Sequence, residues 1–147
     1  MSRVSVTASV DVDAAPEVAF AEMADAAGQG RWILATETFP VDGAVPCPEV
    51  GSRLVAFTGL LGVGFLDLMT VTEYDPPRRW VVSHHGKVVK GDGVFTVDAR
   101  GTGSTVSWTE LVDLPLGLLG RFGWIFVKPA VRWGLGASLR RLGRVLK

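Results

Sequence analysis

From Leu116 to Lys147 the chain carries seven basic residues and no acidic one. Aliphatic and aromatic residues recur there at helical spacing, after a long run of sequence with strand character. A sheet of hairpin-linked strands that ends in one long, apolar-faced helix has few ways to bury both apolar faces. The helix lies across the concave face of the sheet, and the space between them becomes a pocket. The order of elements thus predicts a container for an apolar small molecule.

A chain of 147 residues fits a single domain over 1–147 and buries roughly 70% of the surface its unfolded form exposes. Apolar residues make up 48% and mean hydropathy is +0.30, oily for a soluble protein. A core uses part of that excess and a cavity lining uses the rest. Net charge is zero, yet the residues before the tail hold eight basic and fifteen acidic side chains. Such asymmetry fits helix-surface chemistry and dipole matching better than a nucleic-acid site, so no nucleic-acid partner is expected. Cys47 is the only cysteine; no internal disulfide can form, which suits a reducing cytoplasm. The opening MSRVSVTASV alternates and lacks the apolar core of a signal peptide. Arg121, Lys128 and Arg132 interrupt the oiliest stretch, Leu114 to Leu135, which disfavours a spanning helix and leaves transient contact with a membrane surface open.

Val4, Val6, Ala8 and Val10 alternate with Ser5, Thr7 and Ser9, the signature of a strand with one dry face. Asp13 before Ala14-Ala15-Pro16-Glu17 predicts a helix start with Asp13 or a neighbour as the cap. The helix Pro16 to Ala26 directs Val18, Phe20, Ala21 and Met23 to the core and ends near Gly28-Gln29-Gly30. Arg31 to Ala35 forms a second short helix or turn holding Trp32. Pro40, Gly43, Pro46, Pro48 and Gly51 make 39–51 a loop. Further strands run over Arg53 to Thr58, Phe65 to Tyr74, Trp80 to His84, Lys87 to Ala99 and Ser104 to Asp113. Gly91-Asp92-Gly93 marks a bulge or bend, and Arg100 to Gly103 closes a hairpin. Gly117, Gly120, Gly123 and Pro129 predict a loose helical segment over Leu116 to Val127 and a kink. A firm helix of roughly 25 Å follows from Pro129 to Val145. On it Leu135, Leu139, Leu142 and Leu146 make one apolar stripe.

Strand, two short helices, further strands and a long helix: this order resembles the START-like or helix-grip superfamily, with its polyketide cyclase/dehydrase and lipid-transport (SRPBCC) family. The local matches are Val-Thr-Glu-Tyr-Asp-Pro-Pro-Arg-Arg-Trp (71–80), Gly-Asp-Gly-Val-Phe-Thr-Val (91–97) and Gly-Ser-Thr-Val-Ser-Trp-Thr-Glu-Leu (103–111). Leu-Arg-Arg-Leu (139–142) completes them. The resemblance spans nearly the whole chain. It implies an α+β fold in which a seven-stranded antiparallel sheet wraps around the C-terminal helix, two short helices join strands 1 and 2, and a cavity lies between sheet and helix. The family shares no catalytic signature, so chemistry must be sought in the residues themselves.

Period 2 puts Glu110 on the same face as Val106 and Trp108. A carboxylate facing an apolar cavity is pushed toward its neutral form and can serve as acid, base or polar anchor. Otherwise the strand frays and Glu110 meets water or an arginine. His84 shares a face with Trp80 and Val82 and can polarise a ligand oxygen if that face lines the cavity; otherwise it is a histidine at a strand end. His85 points the other way, so the pair cannot readily chelate one metal, and neither a metal nor a cofactor is expected. Asp67 alternates with Phe65 and Met69 and lies inward, or the phase is the reverse. Cys47 stands between two prolines with no basic neighbour to favour a thiolate.

The expected ligand-binding set is Trp32, Phe57, Phe65, Met69, Val82, His84, Phe95, Trp108, Glu110, Phe122, Phe126 and Trp133, around a cavity of a few hundred Å³. The leading expectation is binding or carriage of a hydrophobic small molecule such as a lipid, polyketide or isoprenoid-like compound. One alternative is a cyclase/dehydrase-type enzyme using Glu110 or His84 as acid or base; another is a regulatory or toxin-like interaction module. No convergent set of acid, base and oxyanion donors is visible, which ranks the binder first. Ligand identity and oligomeric state stay open.

Overall fold

The computed structural model describes residues 2–41, 49–86 and 89–147, so Cys47 lies outside the described residues. Seven strands, β1 (Ser2–Val12), β2 (Thr36–Pro40), β3 (Arg53–Leu60), β4 (Val63–Asp75), β5 (Arg79–His85), β6 (Lys90–Arg100) and β7 (Gly103–Leu114), form one sheet. Its order is β1-β7-β6-β5-β4-β3-β2 and every neighbouring pair is antiparallel. Helix α1 (Pro16–Ala24) and a 3-10 turn (Ala26–Arg31) join β1 to β2, and helix α2 (Leu118–Val145) ends the fold.

The strand that the residues alone did not locate is β2, placed partly in a loop because Pro40 and the glycines and prolines after it read as breakers. Among the described residues it pairs only with β3, and at a sheet edge a proline's missing N–H costs no ladder bond. The bulge falls elsewhere than expected, between Val71 and Glu73 of β4. β6 keeps unbroken register with β5 and β7 through Gly91, Asp92 and Gly93. Gly91 has φ +128° and a Cβ there would drive into the Leu111 carbonyl oxygen, so only glycine lets the ladder run on.

Helix α1 is rotated from the expected phase. Ala19, Phe20, Met23 and Ala24 are buried, while Val18 and Ala21 face solvent. Its N-cap is Ala15 with no side-chain cap, so Asp13 does not play that part. The 3-10 helix Ala26–Arg31 comes just before Trp32, which stands in the turn that follows it; Gln29 is buried there and donates its side-chain amide to the Met23 carbonyl at 3.2 Å. That bond folds the chain back under α1.

Helix α2 is continuous through Pro129: one N–H is lost from the ladder, but the helix goes on. Leu135, Ser138, Leu139 and Leu142 are buried, and Leu146 packs against the same core. The helix lies chiefly against β1. Fully burying a leucine contributes ~1.5–3 kcal/mol, so Leu139 and Leu142, each 0% exposed, anchor this half. Ser138 adds a pin, since its Oγ accepts the Leu34 N–H at 3.0 Å. Among the described residues no helix is long and apolar enough to cross a membrane.

Candidate functional site

The floor of the site follows from the register of three strands. Trp80, Phe95 and Trp108 are direct cross-strand partners on β5, β6 and β7. Their rings stack with centroids 4.8 and 5.0 Å apart, and Trp32 abuts Phe95 and Trp108 edge-on from behind. Two residues along, the same face carries Val82, Gly93 and Glu110; the next row is His84, Gly91 and Val112. The two glycines leave β6 bare where the polar side chains gather. A Cβ on Gly93 would come within 3.2 Å of Glu110 Oε1, His84 Nε2 and Val82 Cγ2, so Gly93 is what lets His84 and Glu110 meet across it.

The cavity between this floor and α2 measures about 390 Å³. Gln29, Ile33 and Leu34 close one side with Thr36 and Thr38 of β2. Ala56, Thr58, Phe65, Asp67 and Met69 of β3 and β4 continue the sheet wall, and α2 contributes Trp124, Val131, Gly134, Leu135 and Ser138.

Within this apolar space three ionisable groups form one cluster. His84 Nδ1 stands 2.9 Å from Asp67 Oδ1, and His84 Nε2 stands 3.1 Å from Glu110 Oε2. Trp108 donates its indole N–H to Glu110 Oε1 at 2.7 Å. Their side chains are only 6%, 13% and 11% exposed for His84, Asp67 and Glu110. Burial alone would lower the pKa of His84. The hydrogen bond to Asp67 and the attraction of Glu110 outweigh it and push the histidine up to about 10, so the ring is an imidazolium at neutral pH. The His84–Glu110 contact is close enough for ion pairing but not aligned as a hydrogen bond. Nε2 and Oε2 therefore have no hydrogen-bond partner among the described residues. Distance governs the Coulomb attraction, whereas a hydrogen bond also needs the angle. Four of the five buried side-chain polar atoms in that condition, on Thr38, Trp80, His84 and Glu110, belong to residues that line the cavity.

The structure brings Phe65, Met69, Val82, His84, Phe95, Trp108 and Glu110 to the cavity wall. Trp32 is buried behind it. Phe57 is on the other face of β3, because Leu54 and Ala56 set the inward phase. Phe122, Phe126 and Trp133 are 65%, 70% and 66% exposed and point away from it. Phe122 and Phe126 each stand two residues from Trp124, about 200° round the helix, and Trp124 is the ring that faces in. Size alone suggests the exposed rings; the positions of Trp124, Val131 and Leu135, seven and four apart, carry the phase signal. Asp67 resolves to the inward alternative, and its diagonal position beside His84 across β4 and β5 is invisible to a pattern read along one strand. Among the described residues no group of His, Cys, Asp or Glu is arranged to hold a metal ion.

An antiparallel seven-stranded sheet closed by a long C-terminal helix over an apolar cavity defines the helix-grip class of proteins. The chain belongs to the polyketide cyclase/dehydrase and lipid transport family, whose model matches residues 3–147. Among solved structures it is similar to TTHA0849 from Thermus thermophilus, at 18% identity and a TM-score of 0.78 over 97% of each chain. The polyketide-cyclase-like protein Cgl2372 from Corynebacterium glutamicum is 17% identical, with a TM-score of 0.63 over 99% of this chain and 92% of that one. DynU16, from the dynemicin biosynthetic locus, is 16% identical with a TM-score of 0.70, over 97% of this chain and 46% of its own. At such identities the likeness is one of fold. No curated protein matches the sequence.

Proposed function

We propose that the protein binds or carries a hydrophobic small molecule, lipid-, polyketide- or isoprenoid-like, in the cavity between sheet and α2. The observation that carries this reading is the aromatic floor facing a cavity of about 390 Å³ in which buried polar atoms converge. Apolar contact supplies most of the affinity at ~25 cal/mol per Å² buried, and the His84–Glu110 pair orients the ligand. The length of 147 residues fits one domain over 1–147, and the lone Cys47 fits a cytoplasmic setting.

The competing enzyme reading would have His84 or Glu110 move protons. A histidine near 10 is already protonated at pH 7 and so cannot act as a base. It also gives up its proton reluctantly, which is the opposite of a catalytic acid–base group poised near the working pH. His84 thus suits holding a ligand better than moving its protons.

Gly134 provides the test. It lines the cavity, and a Cβ there meets nothing within 4 Å, so Gly134→Phe fills the space from a helix that gains intrinsic propensity. Native mass spectrometry after mild extraction should show a small-molecule adduct on the wild type that Gly134→Phe lacks. Equal adducts on both proteins, or none on the wild type across several hosts and lipid extracts, would remove the binding reading.

A second contact has its own observation. Leu118, Leu119, Phe122, Ile125, Phe126 and Trp133 are exposed on α2, flanked by Arg121 and Arg132 and with no acidic residue from 116 to 147. An apolar helix face with basic flanks suits the surface of an anionic bilayer, and we assign transient membrane contact to it. Self-association through that face would set like charges together. Co-sedimentation with anionic but not neutral vesicles, weakened by Phe126→Asp, is the expected result; no sedimentation with either would refute it.

A further inference from the structure

We infer that the β3–β4 turn at Leu61 is a second membrane-contact element, which together with the start of α2 sets the cavity end of the molecule against an anionic bilayer. This rests on the membrane contact assigned to α2 above and extends it to a part of the sheet remote from that helix in sequence.

The backbone gives the first argument. Leu60 pairs with Val63, so Leu61 and Gly62 form a two-residue hairpin loop, and both have positive φ, +55° and +77°. Such a loop favours asparagine or aspartate before the glycine, because a short polar side chain tolerates the left-handed region that a leucine strains against. Leu61 nonetheless stands there at 102% exposure, between Leu60 at 72% and Val63 at 78%. The same pairing recurs just before α2. Leu116 has φ +66° and 76% exposure, and Gly117 follows at +54°. A leucine held on strained backbone with no core to pack against marks a surface that meets something apolar.

The register puts both turns at one end of the molecule. Met69 faces His84, His85 faces Lys90 and Gly91 faces Val112. The β3–β4 tip, the β5–β6 connection and the corner from β7 into α2 therefore share one edge of the sheet. The cavity reaches that edge, where Thr58, Phe65 and Val112 line it; Thr58 and Phe65 are a cross-strand pair two residues from the tip. Local charge suits an anionic surface. Lys90 and Arg121 are exposed beside the apolar turns, while Asp92 and Asp113 are both held by Arg3. Asp67 and Glu110 face inward, which leaves Glu37 of β2 as an exposed acidic neighbour. Apolar tips ringed by cations fit the headgroup–acyl boundary of an anionic bilayer.

Co-sedimentation with phosphatidylcholine vesicles, with and without phosphatidylserine, and thermal denaturation test this on wild type, Leu61→Asn and Phe126→Asp. Asparagine suits the turn and adds no charge. The Tm of Leu61→Asn should therefore equal or exceed that of the wild type, while its binding to phosphatidylserine vesicles falls by about 10-fold. Unchanged binding by Leu61→Asn beside weakened binding by Phe126→Asp would overturn the hairpin contact and leave that of α2 standing. A clear drop in Tm would overturn it too, since the leucine would then serve the fold. No binding by the wild type would overturn both contacts. Orientation has its own readout, an environment-sensitive nitrobenzoxadiazole label in a Cys47→Ser background. A label on Leu61→Cys should brighten on the phosphatidylserine vesicles. One on Asp98→Cys, near the β6–β7 turn at the opposite end, should not. Brightening at both positions, or at neither, would overturn the inference.

Discussion

Removing His84 should change how stability depends on pH, and the size of that change can be worked from the cluster. Burial of the ring opposes its charge, but the hydrogen bond to Asp67 and the proximity of Glu110 win, moving it from the ordinary 6.5 to about 10. Below 6.5 the ring is protonated in both folded and unfolded chains, and the cluster contributes its full stabilisation. Between 6.5 and 10 the unfolded ring sheds its proton while the folded one keeps it, so stability falls as pH rises. The whole span converts to about 5 kcal/mol. Most of the loss up to pH 9.5 comes above pH 7.5 and amounts to roughly 2–3 kcal/mol. Urea denaturation followed by tryptophan fluorescence at closely spaced pH values, on wild type and His84→Gln, compares the cluster with and without its titrating ring. The wild type should lose roughly 2–3 kcal/mol more than the variant between pH 7.5 and 9.5. Parallel curves would mean that the ring is neutral in the folded protein.

Gly93→Ala should cost about 1–3 kcal/mol, because its methyl would press on His84 Nε2 and Glu110 Oε1 at 3.2 Å; thermal denaturation reads the loss. Leu139→Ala, at a site with 0% exposure, should cost about 2–5 kcal/mol. Phe126→Ala, at 70% exposure, should leave stability within about 0.5 kcal/mol. A reversal of these two in a urea titration would mean that the phase of α2 is wrong.

The sheet and its closing helix were legible because alternation and the leucine stripe are local signals. Val4 to Val10 announces β1 by itself, and Leu135, Leu139 and Leu142 announce the buried face of α2. Other features depend on partners distant in sequence. Thr36–Pro40 is a strand only because β3 lies beside it. The glycine pair at 91 and 93 reads as a bulge or bend until β5 and β7 hold it in line on both sides. His84 and Glu110 each carried an inward alternative beside a solvent-facing one. Their meeting, with Asp67 behind, depends on diagonal neighbours across β4 to β7, which a single strand's pattern does not encode. Phe122, Phe126 and Trp133 drew attention by size, whereas the hydrogen-bonded helix running unbroken through Pro129 sets a phase in which Trp124 faces the cavity instead.

The indole region of a ¹H–¹⁵N correlation spectrum tests the binding site most directly. Trp80, Trp108 and Trp124 line the cavity, Trp32 backs it, and Trp133 stands on the outer face of α2 at 66% exposure. Titration with 2-naphthol should shift the indole signals of Trp80, Trp108 and Trp124 together, with Trp108 moving most because its N–H is bonded to Glu110, and should leave Trp133 unmoved. Movement of Trp133 with Trp108 and Trp80 still would put the ligand on the helix surface and contradict a cavity that binds.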